Sequence, residues 1–348
     1  MSKPAVSEYP SIPVSVITGF LGSGKTTLLN HLLSHPDMEE TAVLINEFGD
    51  IGLDHLLVET ISEDIVVLNS GCICCTVRGD LVDSLRELFI KRLRGEVPQF
   101  RHVLIETTGL ADPAPVIHTL MNDPVIAERY RMDGIVTTVD SVLGGGQLDA
   151  HEESVKQAAV ADRIVITKTD LAEDDAVALL RQRLRALNPG AAVIAAEHGQ
   201  VEPKILLNSG LYNPETKSPD VRRWLNDEAY TERHDHRHDV NRHDARIGSF
   251  CITVDEPIPW EGFVTFLEAL LGTHGGNVLR VKGILNVTGE DRPVAVHGVQ
   301  HVFHPPVALP AWPGDSRRSR LVFITRDIGR QAIEDTFRAF IADAVGAG

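Results

Sequence analysis

Short apolar runs alternate with longer amphipathic stretches from Pro13 to about Ala196. The runs are PVSVIT (13–18), TAVLI (41–45), DIVVL (64–68), HVLIE (102–106), GIVTTVD (134–140), DRIVIT (162–167) and AAVIA (191–195). They are rich in Val and Ile and bounded by Gly, Asp or Pro, which predicts buried strands. Helical candidates fall between several of them, at 25–34, 79–94, 152–161 and 173–187. Strand alternating with helix implies right-handed crossovers and a mostly parallel, covered sheet, so residues 10–207 are expected to form an α/β domain.

That rhythm stops at residue 208. Residues 208–246 are polar and turn-rich, carry neither strand nor helix periodicity, and end in TERHDHRHDVNRHDAR. They predict a His-rich linker or mobile insertion. Order resumes with IGSFCITVD, the amphipathic WEGFVTFLEALL, then NVLRVKGILNV, PVAVHGVQHVFH, SRLVFITRD and a closing RQAIEDTFRAFIADAV. Strand, helix, three strands and helix predict a smaller α+β domain over 247–345, with helices on one face of an antiparallel sheet.

A length of 348 residues fits two domains. No apolar run approaches the roughly 20 residues of a membrane span. The N-terminus MSKPAVSEYPSIP lacks the apolar core of a signal peptide. A cytoplasmic protein without a membrane partner is the expectation. The formal net charge of −16 disfavours nucleic acid, whose binding rewards basic surfaces through counterion release. Four cysteines are too few for a disulfide framework in a chain of this length and are expected as thiols.

Chemistry enters first at GFLGSGKTT, Gly19 to Thr27, which fits G-x-x-x-x-G-K-[ST] between an expected strand and an expected helix. Gly19, Gly22, Ser23, Gly24, Lys25, Thr26 and Thr27 are the candidate phosphate-binding set. The glycines let backbone N–H groups turn inward, and the helix N-terminus adds partial positive charge. Lys25 is expected to reach the β- and γ-phosphates and the Thr26 hydroxyl to hold Mg2+. Later strand ends complete the set, because ligands of open α/β sheets bind at carboxyl ends. In VLIETTGLADP, Glu106 can organise Mg2+ or an attacking water, and the Gly109 N–H can meet the γ-phosphate. In VITKTD, Lys168 can lie along a base and buttress the phosphate loop. Asp170 can accept the N1–H and N2–H2 of guanine, which adenine does not offer, so GTP is favoured over ATP.

Three of the four cysteines, Cys72, Cys74 and Cys75, fall within GCICCT. Thiolate selects soft ions such as Zn2+ or Cu(I), and Co2+ also enters such sites. Cys72 and Cys74 share a side of an extended stretch, and Cys75 joins them where the chain turns. Two or three thiolates make an open, exchangeable site completed by Glu47, by water or by the nucleotide's surroundings. A buried trio of small apolar side chains and a redox pair are the competing readings, and Cys251 reads as core. His234, His236 and His238, spaced by aspartates, form an auxiliary, loosely binding candidate, against a solvated loop with no specific role.

Together these motifs resemble the CobW-like P-loop GTPase metallochaperones, of the CobW/UreG type within the SIMIBI class. GFLGSGKTTLLNHLL, INEFGDIGLD, GCICCTVRGDL, ETTGLADP and TKTD follow in family order, ahead of a His-rich linker and a C-terminal α+β domain. The resemblance implies a P-loop NTPase fold and GTP hydrolysis with Lys25, Thr26 and Glu106 as the catalytic set. It implies a transition metal on the three cysteines beside GTP–Mg2+, and delivery to a client metalloprotein. It also makes Asn46–Gly49 and Asp54 part of a nucleotide-sensing switch. The chain departs at Thr167, where the base-recognition motif ordinarily begins with Asn. A metal buffer or sensor with incidental hydrolysis, and a P-loop kinase or ATPase with structural zinc, are the competing functions. A homo-oligomer is compatible with everything in the pattern.

Overall fold

The computed structural model describes residues 11–46, 66–70, 77–207, 246–312 and 316–346. Glu47, Asp54, Cys72, Cys74, Cys75, His234, His236 and His238 lie outside the described residues.

Each of the seven apolar runs becomes a strand of one sheet: β1 (Ile12–Gly19), β2 (Thr41–Asn46), β3 (Val66–Ser70), β4 (His102–Glu106), β5 (Tyr130–Asp140), β6 (Arg163–Thr167) and β7 (Ala192–Ala195). Their order is β3-β2-β4-β1-β5-β6-β7, and every pairing is parallel. All five residues of β4 and of β6 are buried, which is why these strands read as continuous rather than alternating apolar runs.

The helices of this domain are α1 (Lys25–Leu33), α2 (Val77–Arg94), α3 (Ala114–Asn122), α4 (Pro124–Arg129), α5 (Gly144–Ala150), α6 (Glu152–Val160), α7 (Asp174–Leu187) and α8 (Pro203–Leu206). The pattern anticipates α1, α2, α6 and α7 and misses the others. Pro113, Pro115 and Pro124 look like breakers, yet they sit at helix starts, where a missing N–H costs nothing. Asp123 caps α4, its Oδ1 accepting the N–H groups of Val125 and Ile126. In α5 the sequence GGGQLDA has poor helix propensity. Gly144 is there for packing, since a Cβ would lie 2.6 Å from Val139 Cγ1.

The second sheet is antiparallel. It contains β8 (Ile247–Val254), β9 (Val278–Leu285), β10 (Val294–Val299), β11 (Val302–Phe303), β12 (Val307–Ala308) and β13 (Ser319–Arg326). The order is β11-β10-β9-β13-β8, with β12 added on β10. Residues 293–304, read from sequence as one strand, fold back as the β10–β11 hairpin. Helices α9 (Trp260–His274) and α10 (Arg330–Gly346) share one core with this sheet, where Phe250, Phe263, Phe266, Phe323 and Phe337 are buried together. Cys251 is a buried thiol on β8, as its position in an apolar strand implies.

Other side chains of the second sheet belong to the first domain's core. Leu279 and Ile324 pack with Ala159 of α6. Val299, Val302, Leu309 and Trp312 join the cluster that holds Ile117 and Leu120 of α3. Within this contact Asp162 is buried and takes hydrogen bonds from Arg280 and from Lys282, the latter at 2.6 Å.

Candidate functional site

The carboxyl ends of the parallel strands share one edge, and the residues singled out by motif end or follow them. Gly19 ends β1, Glu106 ends β4 and Thr167 ends β6. The chain places β4 on one side of β1 and β5 on the other. This is the reversal that opens a ligand crevice above β1.

The phosphate loop is held by its glycines. Gly19 has φ 144°, and a Cβ there would lie 2.2 Å from Thr138 Oγ1. Gly22 and Gly24 take left-handed conformations at φ 70° and 87°. Gly24 is the N-cap of α1 and offers no side-chain oxygen to the helix. The first N–H groups of a helix lack intrahelical partners, so this end of α1 suits an anion. Lys25 is buried, its Nζ donating to the carbonyls of Gly19 and Phe20 at 3.0 and 3.3 Å. The Ser23 hydroxyl pairs with Thr138 Oγ1 at 2.6 Å. Thr26 Oγ1 donates to Glu106 Oε1 at 3.3 Å, bringing the two candidate Mg2+ residues together, while Thr27 is exposed. Gly109 lies against the loop: a Cβ there would be 2.7 Å from the Leu21 nitrogen. These residues fit a nucleoside triphosphate with Mg2+.

Thr167 and Lys168 brace the loop from the far side. Thr167 Oγ1 donates to the Ser23 carbonyl at 2.7 Å, so the hydroxyl that departs from Asn still fastens the phosphate loop. Lys168 adopts a left-handed conformation at φ 56° and spans from the Gly22 carbonyl, at 2.7 Å, to Asp140 Oδ2, at 2.5 Å. Burial works against the Asp140 charge, but the Lys168 ammonium and the N–H groups of Leu143 and Val142 hold its carboxyl below the usual range. Asp170 sits in the 3-10 turn Thr169–Leu171, and its carboxylate is 3.8 Å from His198 Nδ1.

Four contributors were not singled out in the sequence. Thr138 and Asp140 share the end of β5, and a carboxylate closing an apolar run is the signal that marked Glu106 too. Gly199, at φ 75°, packs so closely that a Cβ would be 2.9 Å from the Thr27 carbonyl oxygen. Its clue is position just after the last parallel strand. Gln157 of α6 gives no clue in sequence; its Nε2 donates to the carbonyls of Gly109 and Ala111 at 3.2 and 3.0 Å.

The metal candidates are approached only through their neighbours. Asn46 and Ser70 are direct partners at the ends of β2 and β3. Glu47 follows Asn46 in sequence, and Cys72 follows Ser70 by two residues. Among the described residues, no group of three or more His, Cys, Asp or Glu is placed to hold a metal ion. Nor is any described helix long and apolar enough to cross a membrane.

A parallel sheet carrying a P-loop at its crevice, followed by an antiparallel α+β domain, defines a two-domain P-loop NTPase. Residues 13–195 match the CobW/HypB/UreG nucleotide-binding domain, and residues 247–341 match the cobalamin synthesis protein CobW C-terminal domain. The chain belongs to the CobW-like family of P-loop GTPases. It is 32% identical to the zinc chaperone YjiA of Escherichia coli over 331 residues, covering 95% of this chain and 98% of that one. It is 31% identical to the zinc chaperone CobW of a Sinorhizobium species over 361 residues, covering 95% and 97%. The crystal structure of Zn(II)-bound YjiA GTPase from E. coli matches with TM-score 0.72 at 28% identity, over 95% of this chain and 99% of that one.

Proposed function

We propose that the chain is a GTP-hydrolysing metallochaperone that carries Zn2+ on Cys72, Cys74 and Cys75, with Glu47, and delivers it to a client metalloprotein under GTP/GDP control. The pairing of Asn46 with Ser70 at the nucleotide-bearing edge carries this reading. It roots the Glu47 segment and the cysteine segment on adjacent strands of that edge. Ile45 is in turn paired with Glu106, whose carboxylate meets Thr26. At about 4.8 Å per strand, β3 lies roughly 14 Å from β1, so the strand that precedes the cysteines stands clear of the one that feeds the phosphate loop. The relatives named zinc chaperones, matched over nearly their whole length, support the same cargo.

Lys25 and the N-terminus of α1 bind the phosphates, and Gly109 offers its N–H to the γ-phosphate. Thr26, beside Glu106, would hold Mg2+, which would supply positive charge against the phosphates. Glu106 orients the attacking water, and Asp170 selects guanine. A switch segment ordered by the γ-phosphate relaxes on hydrolysis. Coupling is reciprocal, so bound metal must tighten GTP by the factor that GTP tightens metal. Co2+ suits the same thiolates and is the second cargo to test.

The test is an anaerobic titration of Zn2+ and Co2+ against a competing chelator, in protein holding a Mg2+–GTP analogue, Mg2+–GDP or neither. Stoichiometric binding that is tight with the analogue, weak with GDP and lost in Cys74→Ser is the expected result. Equal affinity in all three states would make the chain a metal buffer and overturn the gating.

A further inference from the structure

The segment Gly109–Asp112 touches the phosphate loop at one end and the C-terminal domain at the other. Gly109 abuts the backbone of Leu21. Three residues on, Asp112 Oδ2 accepts a hydrogen bond of 2.9 Å from Nε2 of Gln300, in the β10–β11 turn. Asp112 Oδ1 accepts the Ala114 N–H at 3.0 Å, which ties the segment to the start of α3. Lys156 Nζ stands 3.9 Å from Asp112 Oδ2. Between the two ends, the fully buried Gln157 donates to the carbonyls of Gly109 and Ala111.

Gln300 occupies a demanding position. It is the first of two residues joining Val299 to Val302, and its φ is 51°. Two-residue hairpin turns with positive φ at that position favour Gly, because a Cβ is sterically disfavoured there. The turn itself is therefore better served by Gly. A Gln side chain here earns its place through the contact it makes, and it is nearly buried against Asp112.

We propose that Gln300 is a positioning residue for GTP: through Asp112 it holds Gly109–Asp112 against the phosphate loop, giving the C-terminal domain control over recognition of the γ-phosphate. This rests on the GTPase reading above, in which the Gly109 N–H meets that phosphate. GDP lacks the γ-phosphate, so the contact discriminates between the two nucleotides. The buried contacts of Asp162 with Arg280 and Lys282 keep the domains docked when Gln300 is altered.

The test uses the full chain and fluorescent GTP-analogue and GDP. Gln300→Gly keeps the turn and deletes the reach. Loss of one hydrogen bond to a carboxylate is expected to weaken GTP-analogue binding about fivefold or more, with GDP binding unchanged and the thermal midpoint not lowered. The double variant Asp112→Asn/Gln300→Glu restores a hydrogen bond with donor and acceptor exchanged, while Oδ1 of residue 112 still accepts from Ala114. It is expected to recover the analogue-to-GDP affinity ratio that either single change lowers. If Gln300→Gly retains the parental ratio, or the double variant recovers nothing, the positioning role is overturned while the GTPase reading stands. If the parental chain neither binds nor hydrolyses GTP, both fall together.

Discussion

Replacing Asp162 with Asn puts the docking of the two domains to the test. Asp162 is almost fully buried. Its Oδ1 accepts from Arg280 and Lys282, and its Oδ2 accepts the Ile135 N–H at 2.9 Å. Burial alone would raise its pKa, but the Arg280 and Lys282 charges outweigh that and hold it at about 2. A carboxyl held below its ordinary value contributes stability that is present above about pH 4 and lost as pH falls through 2, here roughly 2 kcal/mol. Asparagine removes that contribution and leaves two buried cations facing each other. Breaking a buried ion pair from one side costs about 3–5 kcal/mol, and the upper part of that range is expected here because two partners lose their anion.

Lys282 supplies the check. Burial and the Arg280 charge already push its pKa down to about 8, against the pull of Asp162. In Asp162→Asn that pull is gone, so Lys282 releases its proton more readily. The destabilisation measured at pH 7 must therefore shrink by pH 9. Urea unfolding followed by tryptophan fluorescence suits the question, because Trp312 packs against the first domain's core. A loss under about 1 kcal/mol at pH 7, or a loss of equal size at pH 9, would refute the account of the interface. Converting Arg280 and Lys282 to apolar residues of similar volume in the Asp162→Asn background, where Asn still offers an acceptor to the Ile135 N–H, is expected to recover part of the loss seen with Asp162→Asn alone.

Gly19→Ala places a Cβ 2.2 Å from Thr138 Oγ1 at a φ of 144°; expect abolished nucleotide binding and a loss of at least about 3 kcal/mol in chemical denaturation. Thr167→Ala unfastens the Ser23 carbonyl and is expected to weaken GTP and GDP alike, by about fivefold in equilibrium binding, whereas Gln300→Gly acts on GTP alone. Burial, the main cause for each, lowers the pKa of both His102 and His297 in the fold. The unfolded chain takes up their protons near pH 6.5 and the folded chain only at lower pH, so the thermal midpoint is expected to fall as pH drops below about 6.5.

The parallel domain was legible because β4 and β6 are buried at every position and therefore spell unbroken apolar runs. The places of Glu106, at a strand end, and of Gly24 and Lys25, in the turn that opens α1, were legible for the same reason: an apolar run that stops marks the strand end where each sits. Helices α3 and α5 were not, since Pro113 and Pro115 in one and three glycines in the other mimic a loop. Gln157 and Gln300 were hidden more deeply. They lie 48 and 188 residues from the groups they hold, and no local period can announce a contact made only when distant segments pack, within the first domain for Gln157 and between the two domains for Gln300.

That packing bears on how a cargo site and a nucleotide site can influence each other. Neighbouring strand ends tie Asn46 to Ser70 and Ile45 to Glu106, so one route runs along the sheet edge through backbone pairing. A second route leaves the same crevice through Gly109–Asp112 and enters the C-terminal domain at Gln300. The routes diverge at Glu106 and Gly109, three residues apart in sequence. On the proposed reading, a γ-phosphate acting on both positions reaches β3, the strand that precedes the cysteines in sequence, and the C-terminal domain together. A client that docks on the C-terminal domain would then sense the nucleotide through a route that does not pass through the metal. On the proposed metallochaperone reading, release of cargo is then timed to docking when the two routes respond to the same phosphate.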